Sequence, residues 1–262
     1  ARLSEDDIRR VALVEEQLGL GFIEAAMRLG LISQSDLDAL MSGDPQSRST
    51  AVCVAKPDAN LKSAHDPFDP YAENIRALRT ELLARAPRDE ANVFAIVSPG
   101  PREGRSRLAS ELAISFSQLG QSTLLIDGDL RKSSLHGLFG AANADGLAQA
   151  LSQGRTPVLQ QVVGMPSLTL LTSGTRADTP LELLSDPLMG ELLIGWKRRH
   201  RHIILDTPPS SQFSDGLAIA GHAGRVLMLT RKNRTSASQT RDLVSRLSST
   251  RASVIGCVLN QF

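Results

Sequence analysis

From about residue 71 onward, short uninterrupted apolar runs alternate with segments whose apolar residues recur every three or four positions. The runs cover residues 93–97, 124–126, 168–171, 203–205, 226–229 and 254–259. Continuous apolar stretches of this length suit strands covered on both faces, and the spacing between them suits amphipathic helices. The pattern predicts an α/β fold: a doubly wound, mostly parallel sheet with helices on both faces. Ligands are then expected at the carboxyl ends of the strands. Residues 71–85 are predicted to be helical, with Ile75, Leu78 and Leu82 as the buried stripe.

Two different patterns precede this one. Ile8, Val11, Val14 and Leu18, then Phe22, Ala25, Ala26 and Leu29, fall at helical spacing, with Ser4 and Ser33 as N-caps and Gly30 as a stop. A small all-α domain is expected over residues 1–45. Residues 46–70 carry Pro57, Pro67 and Pro70 with little periodicity. They are expected to form a linker, which leaves 71–262 as the main domain.

Composition narrows the function classes. With 41% apolar and 22% charged residues, the chain has the balance of a soluble globular protein. A formal net charge of +1 gives no electrostatic case for nucleic acid or an anionic membrane as partner. Cys53 and Cys257 are far apart and in no metal-ligand spacing, which fits free thiols in a reducing cytoplasm. No apolar run nears the ~20 residues that span a bilayer, and no signal peptide is visible, so a cytoplasmic location is expected.

Three polar clusters each follow an apolar strand. The first, "SPGPREGRSRLA" at 98–109, has the strand–loop–helix setting of G-x-x-x-x-G-K-[ST], in which backbone N–H groups cradle phosphates and Ser or Thr meets magnesium. Gly104 and Ser106 fit that pattern, whereas Pro99 stands at the outer glycine and Arg105 at the lysine. In the second, "TLLIDGDLRKSSLHGLFG" at 123–140, Asp127 and Asp129 end a strand two residues apart beside Arg131. Carboxylates that close repel one another unless a cation lies near, and hard oxygen ligands suit Mg²⁺. The third, "HIILDTPPS" at 202–210, ends in Asp206, placed as a magnesium-binding strand-end carboxylate. Taken singly, each also fits an ordinary strand–turn–helix, a solvated strand end or a cap; together and in this order they point to ATP and Mg²⁺.

With these clusters the chain, from about residue 66 to its end, resembles the bacterial tyrosine kinases of polysaccharide export (BY-kinases). The motifs concerned are the loop at 98–109, "LLIDGDLR", "ILDTPPS", and Glu73, Arg76 and Arg79 in E-x-x-R-x-x-R spacing. "TPLELLSDP" at 179–187 and the final "VLNQF" are similar to family segments as well. The resemblance implies a doubly wound α/β fold of the P-loop NTPase type and transfer of phosphate from Mg·ATP to tyrosines, commonly of neighbouring copies in a ring, with a membrane chain-length-determinant protein as activator. Carried over, Ser106, Asp127, Asp129 and Asp206 hold the metal. Asp127, Asp129, Asp206 and Arg105 are the catalytic set. The nucleotide meets Pro101, Arg102, Glu103, Gly104, Arg105, Ser106, Arg107 and Arg131, and Asn260 approaches the base. Glu73, Arg76 and Arg79 form the oligomer interface, although Glu and Arg at i, i+3 also pair on a solvated face. Residues 1–45, through "AAMRLGLIS", are similar to a helical domain of some exopolysaccharide-type members and of secretion ATPases, for which docking is expected.

Three features depart from the family pattern. Arg102 stands where a glycine is usual, which disfavours φ > 0. Arg105 replaces a compact ammonium with a planar fork, an exchange that is not conservative where one point charge meets β- and γ-oxygens. Tyr71 is the single tyrosine, where autophosphorylating members carry a tyrosine-rich tail, so either the targets belong to other proteins, such a tail has been removed, or the chain has stopped being a kinase. The same departures allow a catalytically impaired scaffold as the alternative. A partition-type ATPase fits less well, because Gly100 occupies the place of that group's early lysine.

Overall fold

The structure, a computed structural model, describes residues 11, 14, 29, 54–86 and 90–261. The chain divides into two units, residues 1–52 and 53–262. The helical domain expected over 1–45 lies outside the described residues, except for Val11, Val14 and Leu29.

In the second unit the order is β1 (Val54–Ala55), α1 (Lys62–His65), α2 (Pro70–Arg85), β2 (Asn92–Val97), α3 (Arg105–Ser117) and β3 (Thr123–Asp127). There follow α4 (Leu135–Leu138), α5 (Leu147–Gln153), β4 (Gln160–Val162), β5 (Met165–Leu171), α6 (Pro180–Ser185) and α7 (Pro187–Lys197). The chain ends with β6 (His202–Asp206), α8 (Asp215–Ala223), β7 (Arg225–Arg231), α9 (Ala237–Ser248) and β8 (Ser253–Asn260). One eight-stranded sheet has the order β1-β4-β5-β3-β6-β2-β7-β8. Every neighbouring pair is parallel except β4 and β5.

All six apolar runs are strands. Side chains on a strand alternate between its two faces, so the first five runs divide themselves between two cores. Edge strand β8 instead packs Ile255 and Val258 against one core and leaves Val254 and Leu259 exposed. Val93, Ala95, Val97, Leu124, Ile126, Ile203 and Leu205 face Met189, Leu193, Trp196 and Ile219. Phe94, Ile96, Leu125 and Ile204 face Leu108, Leu112 and Phe116 of α3, and Ile75 and Leu82 of α2. The predicted stripe on α2 is thus in place, with Leu78 partly buried against the same core.

The expected linker over 46–70 is corrected within its described part. Val54 and Ala55 pair with Gln161 and Val162, and Lys56 N–H donates to Phe139 O at 2.6 Å. Buried Glu111 of α3 caps α1, accepting from Lys62 N–H at 2.9 Å and Ser63 N–H at 2.8 Å. Pro70 is the first residue of α2, and Asp69 caps it. These residues are ordered by hydrogen bonds to distant segments and not by burial of a periodic face, so periodicity could not report them.

Candidate nucleotide site

Strands β2, β6 and β3 are adjacent in the sheet, with β6 in the middle. The register sets Asp206 of β6 level with Ile96 on one side and with Asp127 on the other. The three polar clusters therefore leave the same edge of the sheet side by side, although about eighty residues separate the second from the third.

The first cluster turns from β2 into α3. Gly104 caps α3 with φ 104°, and a Cβ there would lie 2.7 Å from Asn260 Nδ2. Buried Glu103 folds back, its Oε2 accepting from Gly100 N–H at 2.7 Å and its Oε1 from the Thr235 hydroxyl. Asn260 Nδ2 donates to Glu103 O at 2.8 Å, and Arg231 Nη1 to Arg102 O at 2.8 Å. With the loop held through its carbonyls and carboxylate, the N–H groups of residues 102–106 make no hydrogen bond to any described residue. A row of free N–H groups at a helix N-terminus is a cradle for phosphate oxygens.

Arg102 adopts φ 59°, the left-handed conformation that its side chain disfavours. That conformation costs an L-residue about 1–2 kcal/mol, from which glycine's greater unfolded-state entropy must be subtracted. Arg102→Gly is therefore expected to stabilise the protein by about 0.5–1 kcal/mol, raising Tm by roughly 2–4 °C per kcal/mol in a domain of this size. Calorimetric scans of the two proteins check this, and an unchanged or lower Tm counts against the strain.

Arg105 is buried, and its guanidinium turns back into the loop. Nε donates to Thr207 O at 2.8 Å, and Nη1 to Gly100 O at 2.7 Å and to the Ser98 hydroxyl. Burial lowers its pKa from the ordinary arginine value, while the fields of Asp206, Asp129 and Glu103 act the other way. Carboxylates thus surround the cation, but none of them forms an ion pair with it among the described residues.

The acids differ in what is left open. Asp206 is fully buried; Oδ1 accepts from Thr207 N–H at 3.0 Å, and Oδ2 has no hydrogen-bond partner. Burial, then the charge of Asp127, raise its pKa to about 7. The nearby Ser106 hydroxyl offsets part of this, without supplying a hydrogen bond of ordinary geometry to Oδ2. Asp127, also raised by burial, is saturated: Oδ1 accepts from Asp129 N–H at 3.1 Å. Its Oδ2 accepts from Ser133 Oγ at 2.9 Å, Ser134 N–H at 3.2 Å and Leu135 N–H at 3.1 Å. Asp129 uses Oδ1 for Arg131 N–H at 3.2 Å and Lys132 N–H at 2.8 Å; Oδ2 takes no donor among the described residues. Gly128 lets the box cross β6, because a Cβ there would lie 2.6 Å from Asp206 O and from Ile219 Cδ1. Among the described residues no three carboxylate, imidazole or thiol side chains form a metal cage. Magnesium requires none, being held by one or two carboxylates with phosphates and waters. An orphaned Asp206 Oδ2 beside Ser106 and the free N–H row suits it.

No family model matches the chain. The kinase domain of the Escherichia coli tyrosine kinase Etk has a TM-score of 0.74 at 28% identity, covering 85% of this chain and 86% of that one. The kinase domain of VpsO has a TM-score of 0.66 at 30% identity, covering 73% of this chain and 95% of that one. The chain belongs to the kinase-domain family of the BY-kinases. EpsB of Ralstonia nicotianae is 33% identical over 215 residues, 81% of this chain and 28% of its own length. The tyrosine-protein kinase Wzc of Salmonella typhimurium is 30% identical over 203 residues, 77% of this chain and likewise 28% of its own. The chain thus spans less than a third of these curated relatives. The cell-division ATPase MinD of Pyrococcus furiosus, at 20% identity and a TM-score of 0.55, shares the fold.

Within this BY-kinase domain, several residues expected at the nucleotide or at an interface have other partners. Arg131 forks onto Asp215, Nε to Oδ2 at 2.6 Å and Nη2 to Oδ1 at 3.1 Å, and lies 4.2 Å above the Phe213 ring. The side chain of Arg107 leaves the loop, donating to Asn60 O at 3.2 Å and lying 5.0 Å above the Tyr71 ring. Tyr71 is itself half-buried, and burial pushes its hydroxyl up to about 12. Asn260 grips the loop carbonyl of Glu103. Arg76 pairs with Glu73 at 2.5 Å, and Arg79 Nη1 donates to Ser115 O at 2.5 Å. The sequence reading missed Ser98 and Thr207, which hold Arg105, and Asp215 and Phe213, which hold Arg131. The "SDG" at 214–216, where α8 begins, reads only as a helix start, so its sequence signal is a cap. No helix of the described residues is long and apolar enough to cross a membrane.

Proposed function

We propose that this domain binds Mg²⁺·ATP and transfers the γ-phosphoryl group to a tyrosine hydroxyl of another polypeptide, in the control of exopolysaccharide chain length, polymerisation or export. The observation that carries the proposal is the buried, unpartnered Oδ2 of Asp206, set beside Ser106 and the free N–H groups of residues 102–106. Ser106 and Asp206 hold the metal, and Asp129 Oδ2 faces it or takes the tyrosine proton. Asp127 serves by fixing the loop that follows β3. Bound there, magnesium neutralises phosphate oxygens as charge shifts toward the leaving group. The N–H row cradles the phosphates and Arg105 supplies positive charge. Tyr71 itself, half-buried under Arg107, is poorly placed as an acceptor, which supports a target in trans. A membrane chain-length-determinant protein is the activator, which sets the domain at the cytoplasmic face. Glu73, Arg76 and Arg79 line a homo-oligomer contact, and residues 1–45 dock to a partner.

A second reading, an impaired scaffold whose nucleotide site controls assembly, is favoured by one observation. The Arg105 fork is tied to Thr207 O, Gly100 O and Ser98, and must release them to meet phosphate. Titration calorimetry with ATP, with and without Mg²⁺, followed by a phosphotyrosine blot with the membrane partner present, separates the two. Magnesium-dependent binding with label on tyrosine is the expected result. Binding without label leaves the scaffold, and no heat at millimolar ATP and Mg²⁺ removes both.

A further inference from the structure

We infer that the Arg131–Asp215 pair is a positioning staple: it fixes the loop that presents Asp129 to the magnesium site and ties that loop to the one that follows Asp206. Asp215 is fully buried at the start of α8, and both of its oxygens accept from one guanidinium. The Phe213 ring covers the face of that guanidinium, which keeps the fork planar against its partner. Glu182 and Asp129 lie close enough to add to the field at Arg131.

What the staple holds can be traced through hydrogen bonds. The Arg131 and Lys132 N–H groups both point at Asp129 Oδ1, so the backbone of Arg131 sets the rotation of that carboxylate and leaves Oδ2 free. The Arg131 side chain anchors this backbone to α8. The segment between Asp206 and α8 is fastened in turn to the phosphate loop, by Ser210 N–H to Ser98 O at 3.1 Å and Ser211 N–H to Pro99 O at 2.8 Å. Thus the loops of three strands are linked, and the Arg131–Asp215 pair is the side-chain ion pair that joins the loop of β3 to the others among the described residues. An arginine spent on a buried carboxylate is withheld from the nucleotide, so its contribution is geometry and not phosphate charge.

This inference rests on the Mg²⁺·ATP reading, and the experiment separates the two. Binding of a fluorescent ADP analogue is measured without metal and across a Mg²⁺ titration, and bound Mn²⁺ is followed by electron paramagnetic resonance. The proteins are the wild type, Arg131→Lys, Asp215→Asn and the double variant R131M/D215L, which removes the pair without stranding a buried charge. The variants are expected to need about tenfold more metal for half-saturation, as when support behind a metal ligand is lost, while metal-free nucleotide affinity stays within about twofold. A merely structural pair changes both affinities together, or only Tm. A metal requirement equal to that of a magnesium-dependent wild type overturns the staple alone. A wild type indifferent to both metals overturns the staple together with the reading it rests on.

Discussion

Arg105→Lys is expected to accelerate tyrosine phosphorylation about a hundredfold while changing ATP affinity by no more than a few-fold. Arg105 supplies its charge from a fork already bonded to three protein acceptors, two of them main-chain carbonyls. To align with a transferring phosphoryl group, the fork must give up those bonds as the reaction proceeds, and a reorganising donor is a poor source of transition-state stabilisation. An ammonium on a flexible stem meets the phosphates as a point charge and leaves the carbonyls to solvent. A hundredfold in rate corresponds to about 2.7 kcal/mol. Binding is less sensitive, because either side chain carries one positive charge. The same substitution abandons buried acceptors, so a loss of about 1–2 kcal/mol in stability accompanies the gain in rate. Initial rates of label transfer to a tyrosine-bearing partner, taken beside calorimetric affinities, check both halves. Equal rates at equal affinity absolve Arg105 and turn attention to the rest of the loop.

Asp206→Asn is expected to abolish magnesium-dependent binding and, in the absence of ligand, to stabilise the protein above neutral pH. The carboxyl is fully buried, and burial beside Asp127 pushes it up to about 7 in the folded protein, from an ordinary carboxyl value of 3.8. A folded-state pKa raised in this way means that the protonated form favours folding. Its stabilisation is complete below about pH 4 and is lost as pH rises through about 7. At pH 8 the ligand-free wild type carries a buried charge beside Asp127 that the field of Arg105 only partly offsets, costing about 4 kcal/mol. The asparagine carries none. The Tm advantage of Asp206→Asn should therefore be large at pH 8, shrink as pH falls from 7 and vanish below about pH 4. Metal binding requires the deprotonated form, so wild-type affinity for Mg²⁺·ATP should tighten as pH rises through 7, with proton release visible in buffers of different ionisation enthalpy. A pH-independent Tm difference would show that the strain at Asp206 is not electrostatic.

The candidate nucleotide site was legible in the sequence only as far as strand ends are. An apolar run followed by an acid or by a glycine-bearing loop says where a polar group leaves the sheet, and that logic found Asp127, Asp129, Asp206 and the loop from Ser98 to Ser106. It could not rank the acids, because the ranking depends on donors from elsewhere in the loops. Ser133, Ser134 and Leu135 saturate Asp127, whereas Asp206 Oδ2 keeps nothing. Nor could it place guanidinium groups. Arg105 and Arg131 sit where the family leads one to expect phosphate contacts, yet the first turns to Thr207 and the second to Asp215, more than eighty residues away in each case.

The sequence by itself determined the α/β class and the six longer strands, since both follow from apolar periodicity, a local property that survives without knowledge of partners. Tertiary structure decided the rest. It added β1 and β4, strands of two and three residues stabilised by pairing rather than by their own pattern, and drew much of an expected linker into the domain. It also set Asp206 between the phosphate loop and Asp127, because strand order in a sheet is fixed by which strands pair, and pairing across a hundred residues leaves no mark in either segment alone.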